Sequence, residues 1–398
     1  MRLSPLVENL KPSPTLVVST QAKALRAKGI EVLDLSLGEP DFSTPEAIRE
    51  AAKVALDEGY TKYTPVAGMM ALREKIAQNL KKEKGFDYKP EQILVSTGAK
   101  QCLYNAILSV IGPGDEVLIP VPYWVSYPTQ VQMAGGVSVP VQTRAEDHFQ
   151  LDPKVVEAAI TPKTKMLILN SPNNPTGVVY PPETIKAIAE LVEKHNLWLL
   201  SDEIYDKLVY HGAQAVSPLE INPDLQKRTI LINGFSKAYA MTGWRSGYMA
   251  APVEVIKASI AIQGAITSGP NAITQRASIA ALDLPNDSIE NMRQTFQKRL
   301  DAILEAFNAI PGLVCPIPKG AFYLMPNFEA FIGKKTPEGQ VLESSADITT
   351  YLLQEAHVAG VPGEAFAMPG HIRFSYATKI EIIQKAAKQI GEALQKLS

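Results

Sequence analysis

The feature that most limits what this chain can fold into is an alternation beginning near Thr44, in which short apolar runs are separated by longer amphipathic stretches. The runs Ile93–Ser96, Glu116–Pro120, Ser138–Val141, Met166–Leu169, Leu197–Ser201, Thr229–Asn233 and Gly247–Ala250 read as strands. The stretches between them, including Ala71–Lys84, Leu103–Val110 and Pro182–His195, carry helical periodicity. Short β-rich runs alternating with helices predict an α/β fold with a mostly parallel, doubly wound sheet covered on both faces. Ligands of such sheets sit beyond the carboxyl ends of the strands. The residues just past each run therefore matter most.

The 398 residues exceed the usual size of one core, and the texture changes along the chain. KPSPT at Lys11 to Thr15 reads as an extended arm, followed by helical periodicity at Thr20–Lys28 and a short strand entering the loop of EVLDLSLGEPDF. Beyond Leu282 come a long charged helix at Ser288–Ala309, isolated strands near Gly320–Leu324 and His371–Tyr376, and a terminal helix at Lys379–Lys396. The expected division is an arm and part of a small domain at 1–45, a large ligand-binding domain at 46–285, and a smaller α+β domain at 286–398.

Composition excludes several classes of function. A formal net charge of -2 and a pI near 6.3 offer nothing to a polyanion or a membrane surface. No window reaches the roughly 18 to 20 apolar residues of a membrane span, and the N-terminus lacks a secretory signal pattern. The expectation is a cytoplasmic protein with no nucleic-acid or membrane partner. Cys102 and Cys315 are far apart, without ligand companions, and read as two reduced thiols. The histidines show no metal spacing, so no metal site is expected.

Past the strand ends, one type of chemistry accumulates. The run Leu197–Ser201 ends in Asp202, with Tyr205 three positions on. A carboxylate emerging from a buried strand is costly unless it meets a cation. The run Met166–Leu169 enters NSPNNPTG, whose prolines and glycine fix a turn that projects Asn174. Ile93–Ser96 leads into TGAKQ, where Gly98 and Ala99 open a helix whose amides and dipole can hold a phosphate. Thr229–Asn233 is followed by GFSKAYAMTGWR: Lys237 becomes a nucleophile toward carbonyl carbon when desolvated, and Arg245 is a cationic fork suited to phosphate. Each residue alone reads as a cap, a turn or a surface charge. An amine, a carboxylate, a phenol and a phosphate clamp together fit pyridoxal 5'-phosphate, whose aldehyde, pyridine nitrogen, phenolic oxygen and phosphate need those groups.

The motifs GEPDF, KYTP, YWVSY, NSPNNPTG, SDEIY, SKAYAMTGWR and HIRFSYA run in order along nearly the whole chain. With them the sequence resembles the class I aminotransferases of the fold-type I pyridoxal phosphate enzymes. The resemblance implies that Lys237 is the Schiff-base lysine and proton shuttle, that Asp202 pairs with the pyridine nitrogen, and that Tyr205 and Asn174 bond the phenolic oxygen. It implies Trp124 on the ring face, and Gly98, Ala99, Ser236 and Arg245 on the phosphate, joined by Tyr63 from the other subunit of a homodimer. Arg373 would clamp the substrate α-carboxylate, near Asn174, Trp124 and the Gly38 backbone. Some relatives carry a serine where this chain has Gly234.

The segment Ile260–Pro270, where animal-type aspartate aminotransferases place an arginine for the distal carboxylate, has no Arg or Lys. The bacterial branch of aspartate aminotransferases is closer, with its K-P-S-x-T and a lysine after the phosphate-loop pair. That resemblance implies Lys100, Ser13 and Thr15 as readers of the distal carboxylate, with Lys11 serving prephenate. The expected reaction moves the amino group of L-aspartate to 2-oxoglutarate, with prephenate as a further acceptor left open. Transamination of aromatic or other amino acids and a lyase on the same fold are the rival enzymes. A ligand-sensing module would need a DNA-binding segment ahead of GEPDF, and a nicotinamide dehydrogenase a G-x-G-x-x-G after the first strand. Neither is present.

Overall fold

A computed structural model describes residues 2–8, 10 and 14–398. Its centre is a seven-stranded sheet in the order Ile93–Thr97, Ser246–Ala250, Thr229–Gly234, Trp198–Asp202, Thr164–Asn170, Glu116–Pro120, Val137–Val141. All pairings are parallel except the two made by Ser246–Ala250. Successive side chains enter opposite cores. Val95, Leu118, Leu167, Leu199 and Leu231 point to one face, while Leu94, Val117, Ile168, Leu200 and Ile232 point to the other. Both faces are dry, which is why these strands read as unbroken apolar runs rather than alternating ones.

Helices Met70–Lys84, Pro182–Lys194 and Ala272–Leu282 cover the first face; Ala99–Val110, Ser126–Met133 and Val253–Ile266 cover the second. The seven predicted strands of this sheet all form, within two residues at each end, whereas the strand expected near Gly320–Leu324 is confined to Tyr323–Leu324. The helix predicted at Leu103–Val110 starts earlier, at Ala99, because Gly98 at φ 84° turns the chain directly into it.

A separate core joins Leu33 and Leu35 to residues 292–397, and it also takes in Ile204, Tyr205, Leu208 and Tyr210 from the loop after Trp198–Asp202. The helix Asn286–Asn308 packs on Ile380–Gln395. A three-stranded sheet sets Ile372–Ser375 between Val361–Pro362 and Tyr323–Leu324. The short strand Leu33–Asp34 pairs with Val358–Ala359. Among the described residues, no helix is long and apolar enough to cross a membrane.

Candidate active site

Parallel register brings the predicted residues to one edge. Asn170 and Asp202 are direct neighbours across two strands, and Asp202 is beside Ile232 of the next. Ser246–Ala250 runs the other way, so its beginning lies where the other strands end: Thr97 pairs with Ser246, and Gly234 with Gly247. Gly98, Ala99, Asn174, Asp202, Ser236, Lys237 and Arg245 are thereby gathered from five strand termini. All of these except Gly98 line a cavity of about 480 Å³.

Asp202 is buried. Its Oδ2 accepts from the Tyr127 hydroxyl at 2.7 Å and its Oδ1 from the Ile204 N–H at 3.2 Å. Burial pushes its carboxyl up to about 6, against the pull of those two donors. Asn170 braces the strand ends, donating to the Asp202 carbonyl at 3.0 Å and accepting from the Asn174 N–H at 2.9 Å.

Lys237 follows the strand Thr229–Gly234, and its Nζ donates to the Gly38 carbonyl. The Nζ lies 5.6 Å from the centre of the Tyr205 ring. Burial, then the neighbouring Arg373 guanidinium, lowers its ammonium to about 8. Such an amine loses its proton near neutrality, as a nucleophile or base must.

The guanidinium of Arg245 sits against Gly98: a Cβ there would lie 2.5 Å from its Nη2, so only glycine leaves the fork its place. Arg245 itself takes a left-handed φ of 57°, and its Nη1 donates to the Thr242 carbonyl at 2.8 Å. Beside it the helix Ala99–Val110 begins, with the Ala99 and Lys100 amides ahead of its first closing bonds, which Gln101 and Cys102 donate to the Gly98 carbonyl. Gly234 has no space for a side chain, since a Cβ would come 2.9 Å from the Gly247 Cα.

Opposite this edge, Arg373 is 2% exposed. Its Nη1 donates to Asn174 Oδ1 at 2.9 Å and its Nη2 to the Ser36 carbonyl at 2.8 Å, while its Nε has no partner among the described residues. With Oδ1 engaged, Asn174 has its amide group left to donate. A buried guanidinium bonded only to neutral oxygens is a receptor for an anion.

Trp124, half-buried, forms a further wall with its ring edge-on to Tyr127. Lys100 also lines the cavity, exposed, with its Nζ 4.8 Å above the Trp124 ring. Tyr63 does not reach the cavity of its own chain; it projects from the surface, 98% exposed. Lys11 and Ser13 lie outside the described residues, and Thr15 falls in the helix Pro14–Ala27. Both cysteines are free.

Three site groups escaped the sequence reading as chemistry. In the sequence Tyr127 lies within YWVSY without a role, Asn170 reads only as the start of a turn, and Tyr323 stands in the apolar run AFYL. Their hydroxyl and amide groups are legible only once the strand ends are assembled.

The model of the aminotransferase class I and II family matches residues 30–390. The aspartate aminotransferase of Geobacillus stearothermophilus is 45% identical, with 99% of each chain covered. The aspartate/prephenate aminotransferase of Cereibacter sphaeroides is 44% identical, over 98% of this chain and 97% of its own. Among solved structures, the aspartate aminotransferase of Rhizobium meliloti superposes with a TM-score of 0.96 at 41% identity, covering all of both chains. That of Thermus thermophilus with maleate gives 0.92 at 43% identity, covering 99% of this chain and 100% of its own.

Proposed function

The chain belongs to the class I and II aminotransferase family, and from that premise we propose that it is a pyridoxal 5'-phosphate-dependent aspartate aminotransferase. It moves the amino group of L-aspartate to 2-oxoglutarate in two half-reactions, giving oxaloacetate and L-glutamate. The observation that carries this reading is the pairing of two buried charges across one cavity: among the described residues Asp202 is bonded to no cation and Arg373 to no anion. A pyridinium would complete the first and a substrate carboxylate the second.

The donor set fits the cofactor. Lys237 would hold its aldehyde carbon, Asp202 its ring nitrogen, and Tyr205 with the Asn174 amide its phenolic oxygen. Trp124 would cover the ring face. Gly98, Ala99, Ser236 and Arg245 would hold the phosphate, together with Tyr63 of the partner subunit; the exposure of Tyr63 in its own chain supports a homodimer with shared sites. When bound, the cofactor supplies an electron sink that makes the substrate Cα–H bond acidic.

The protein's own groups do the rest. Arg373 fixes the α-carboxylate and, through the Nη1 bond to Asn174, ties substrate position to cofactor position. The Nζ of Lys237, its basicity lowered by burial and Arg373, takes the Cα proton and returns it on the cofactor side. Asp202, ionised opposite a cation, keeps the ring nitrogen protonated. Lys100 meets the distal carboxylate, with Ser13, Thr15 and Lys11 as further readers. Maleate, the dicarboxylate in the Thermus thermophilus structure, supports a two-carboxylate substrate, and the Cereibacter sphaeroides relative supports prephenate as another acceptor.

The division at 1–45, 46–285 and 286–398 belongs to the same reading, supported by the separate core of residues 292–397 with Leu33 and Leu35. So does a cytoplasmic location, since amino acids and 2-oxo acids are the metabolites it would use. Aspartate alone, added to the loaded enzyme, should deplete the lysine-bound absorbance and release one oxaloacetate per site. Ammonia released in place of oxaloacetate would mean a lyase.

A further inference from the structure

Tyr323 has no place in the roles given so far, yet its hydroxyl occupies the middle of the site. It lies 2.8 Å from the hydroxyl of Tyr205, both residues are buried, and both line the cavity. The two rings meet edge-on at 5.9 Å and both pack on Phe322, so neither hydroxyl can swing away without disturbing the core. Tyr323 is paired with Ser375 in the small sheet that also carries Arg373, and the Arg373 guanidinium lies 4.6 Å above its ring.

Two further observations bear on that contact. Gly38 of GEPDF makes room for it: a Cβ at this position would come 2.8 Å from the Tyr323 hydroxyl oxygen. The direction of the hydrogen bond follows from the charge. The Arg373 guanidinium stands 4.6 Å above the Tyr323 ring, closer than Lys237 at 5.6 Å from the Tyr205 ring. Burial raises both hydroxyls, Tyr205 further through Tyr323, while Arg373 is the main pull the other way on Tyr323, which makes its O–H the stronger acid of the pair. Tyr323 therefore donates and Tyr205 accepts. A hydroxyl that accepts one bond becomes a better donor of the next.

We propose that Tyr323 is a positioning residue, which donates to the Tyr205 oxygen and so aims the proton of Tyr205 into the cavity, at the phenolic oxygen of the cofactor. This rests on the reading of Tyr205 given above. Without Tyr323, Tyr205 is a weaker and less directed donor, and more negative charge stays on that phenolic oxygen. The proton shared between it and the Lys237 nitrogen is then held more tightly.

The test is a pH titration of the visible absorbance of the loaded enzyme without substrate, in wild type, Tyr323→Phe, Tyr205→Phe and the double variant. Tyr323→Phe keeps the ring against Phe322 and should move the midpoint upward by about half a pH unit, with Tyr205→Phe moving it by about one unit or more. In the Tyr205→Phe background the second change should move it no further, and cofactor affinity measured on the apo-protein should follow the same pattern. An unchanged midpoint in Tyr323→Phe would overturn the proposal, and so would additive shifts in the double variant. If Tyr205→Phe shifts the midpoint while Tyr323→Phe does not, only this inference fails. If wild type shows no lysine-bound band, the reading of the cofactor site fails instead.

Discussion

Two walls of the cavity are built on different terms. The strand-end wall holds Asn170 and Asp202 by register, paired with each other across the sheet, and Lys237, three residues past its strand, by the bond of its Nζ to the Gly38 carbonyl. The side at Lys100 and Trp124 is more open: Lys100 is exposed, its Nζ 4.8 Å above a Trp124 ring that meets Tyr127 edge-on. Ionic contacts strengthen as water leaves, so equal charges on the two walls do unequal work. On the function proposed above, the buried wall would define the chemistry and the open one would grade the substrates.

The sharpest attempt to break this contrast is Lys237→Ala. It should remove the lysine-bound absorbance and lower turnover by about 10⁴-fold or more, since no other amine lines the cavity at that position. Normal turnover in that variant would show the strand-end wall to be inert.

Arg373→Lys keeps the charge but loses the fork, which now bridges Asn174 and Ser36. A fall of about 10²-fold in kcat/KM is expected for every amino acid tested, because the α-carboxylate is common to all. A loss confined to aspartate would move the assignment to the distal carboxylate.

Asp202→Asn tests the strain of the buried wall directly. The Asp202 carboxyl is raised in the fold from 3.8 to about 6, so the folded state holds its proton more firmly than the unfolded chain. Stability is therefore lost as pH rises between those values, and the loss is complete above about 6. The cofactor-free Asn variant should be the more stable by about 1 to 3 kcal/mol at pH 7 to 8. That gain should vanish below about pH 4, where the carboxyl is protonated in both states. Thermal unfolding across this range measures it, and a variant less stable at pH 7 would contradict the account.

Lys100→Ala gives the smallest expected effect, roughly a tenfold fall in preference for aspartate over a monocarboxylic amino acid. Should it cost as much as Arg373→Lys, the two walls would not differ in kind.

Much of the buried wall could be read in advance because a strand buried on both faces must be an apolar run, and polar residues at its end stand out. Asp202 after LWLLS and Lys237 after TILINGFS are such residues. Arg373 left the same trace, a charge inside HIRFSY, though its role came from family resemblance rather than from spacing. Tyr127 and Tyr323 left none: an aromatic in an apolar run has the same pattern whether its hydroxyl is idle or bonded to Asp202 or Tyr205. The substrate side was legible only as motifs. Thr15 falls in a helix rather than an extended arm, and Lys11 and Ser13 lie outside the described residues.

In the seven-stranded sheet Ser246–Ala250 alone runs against its neighbours, so the chain that leaves at Gly234 is back on the sheet from Ser246, and Gly247 pairs with Gly234. Lys237 and Arg245 are thus set near the two feet of one short loop, and a loop this short leaves their separation little freedom. On the function proposed above, the loop would act as a gauge, matched to a molecule whose carbonyl carbon and anionic end stand one fixed span apart.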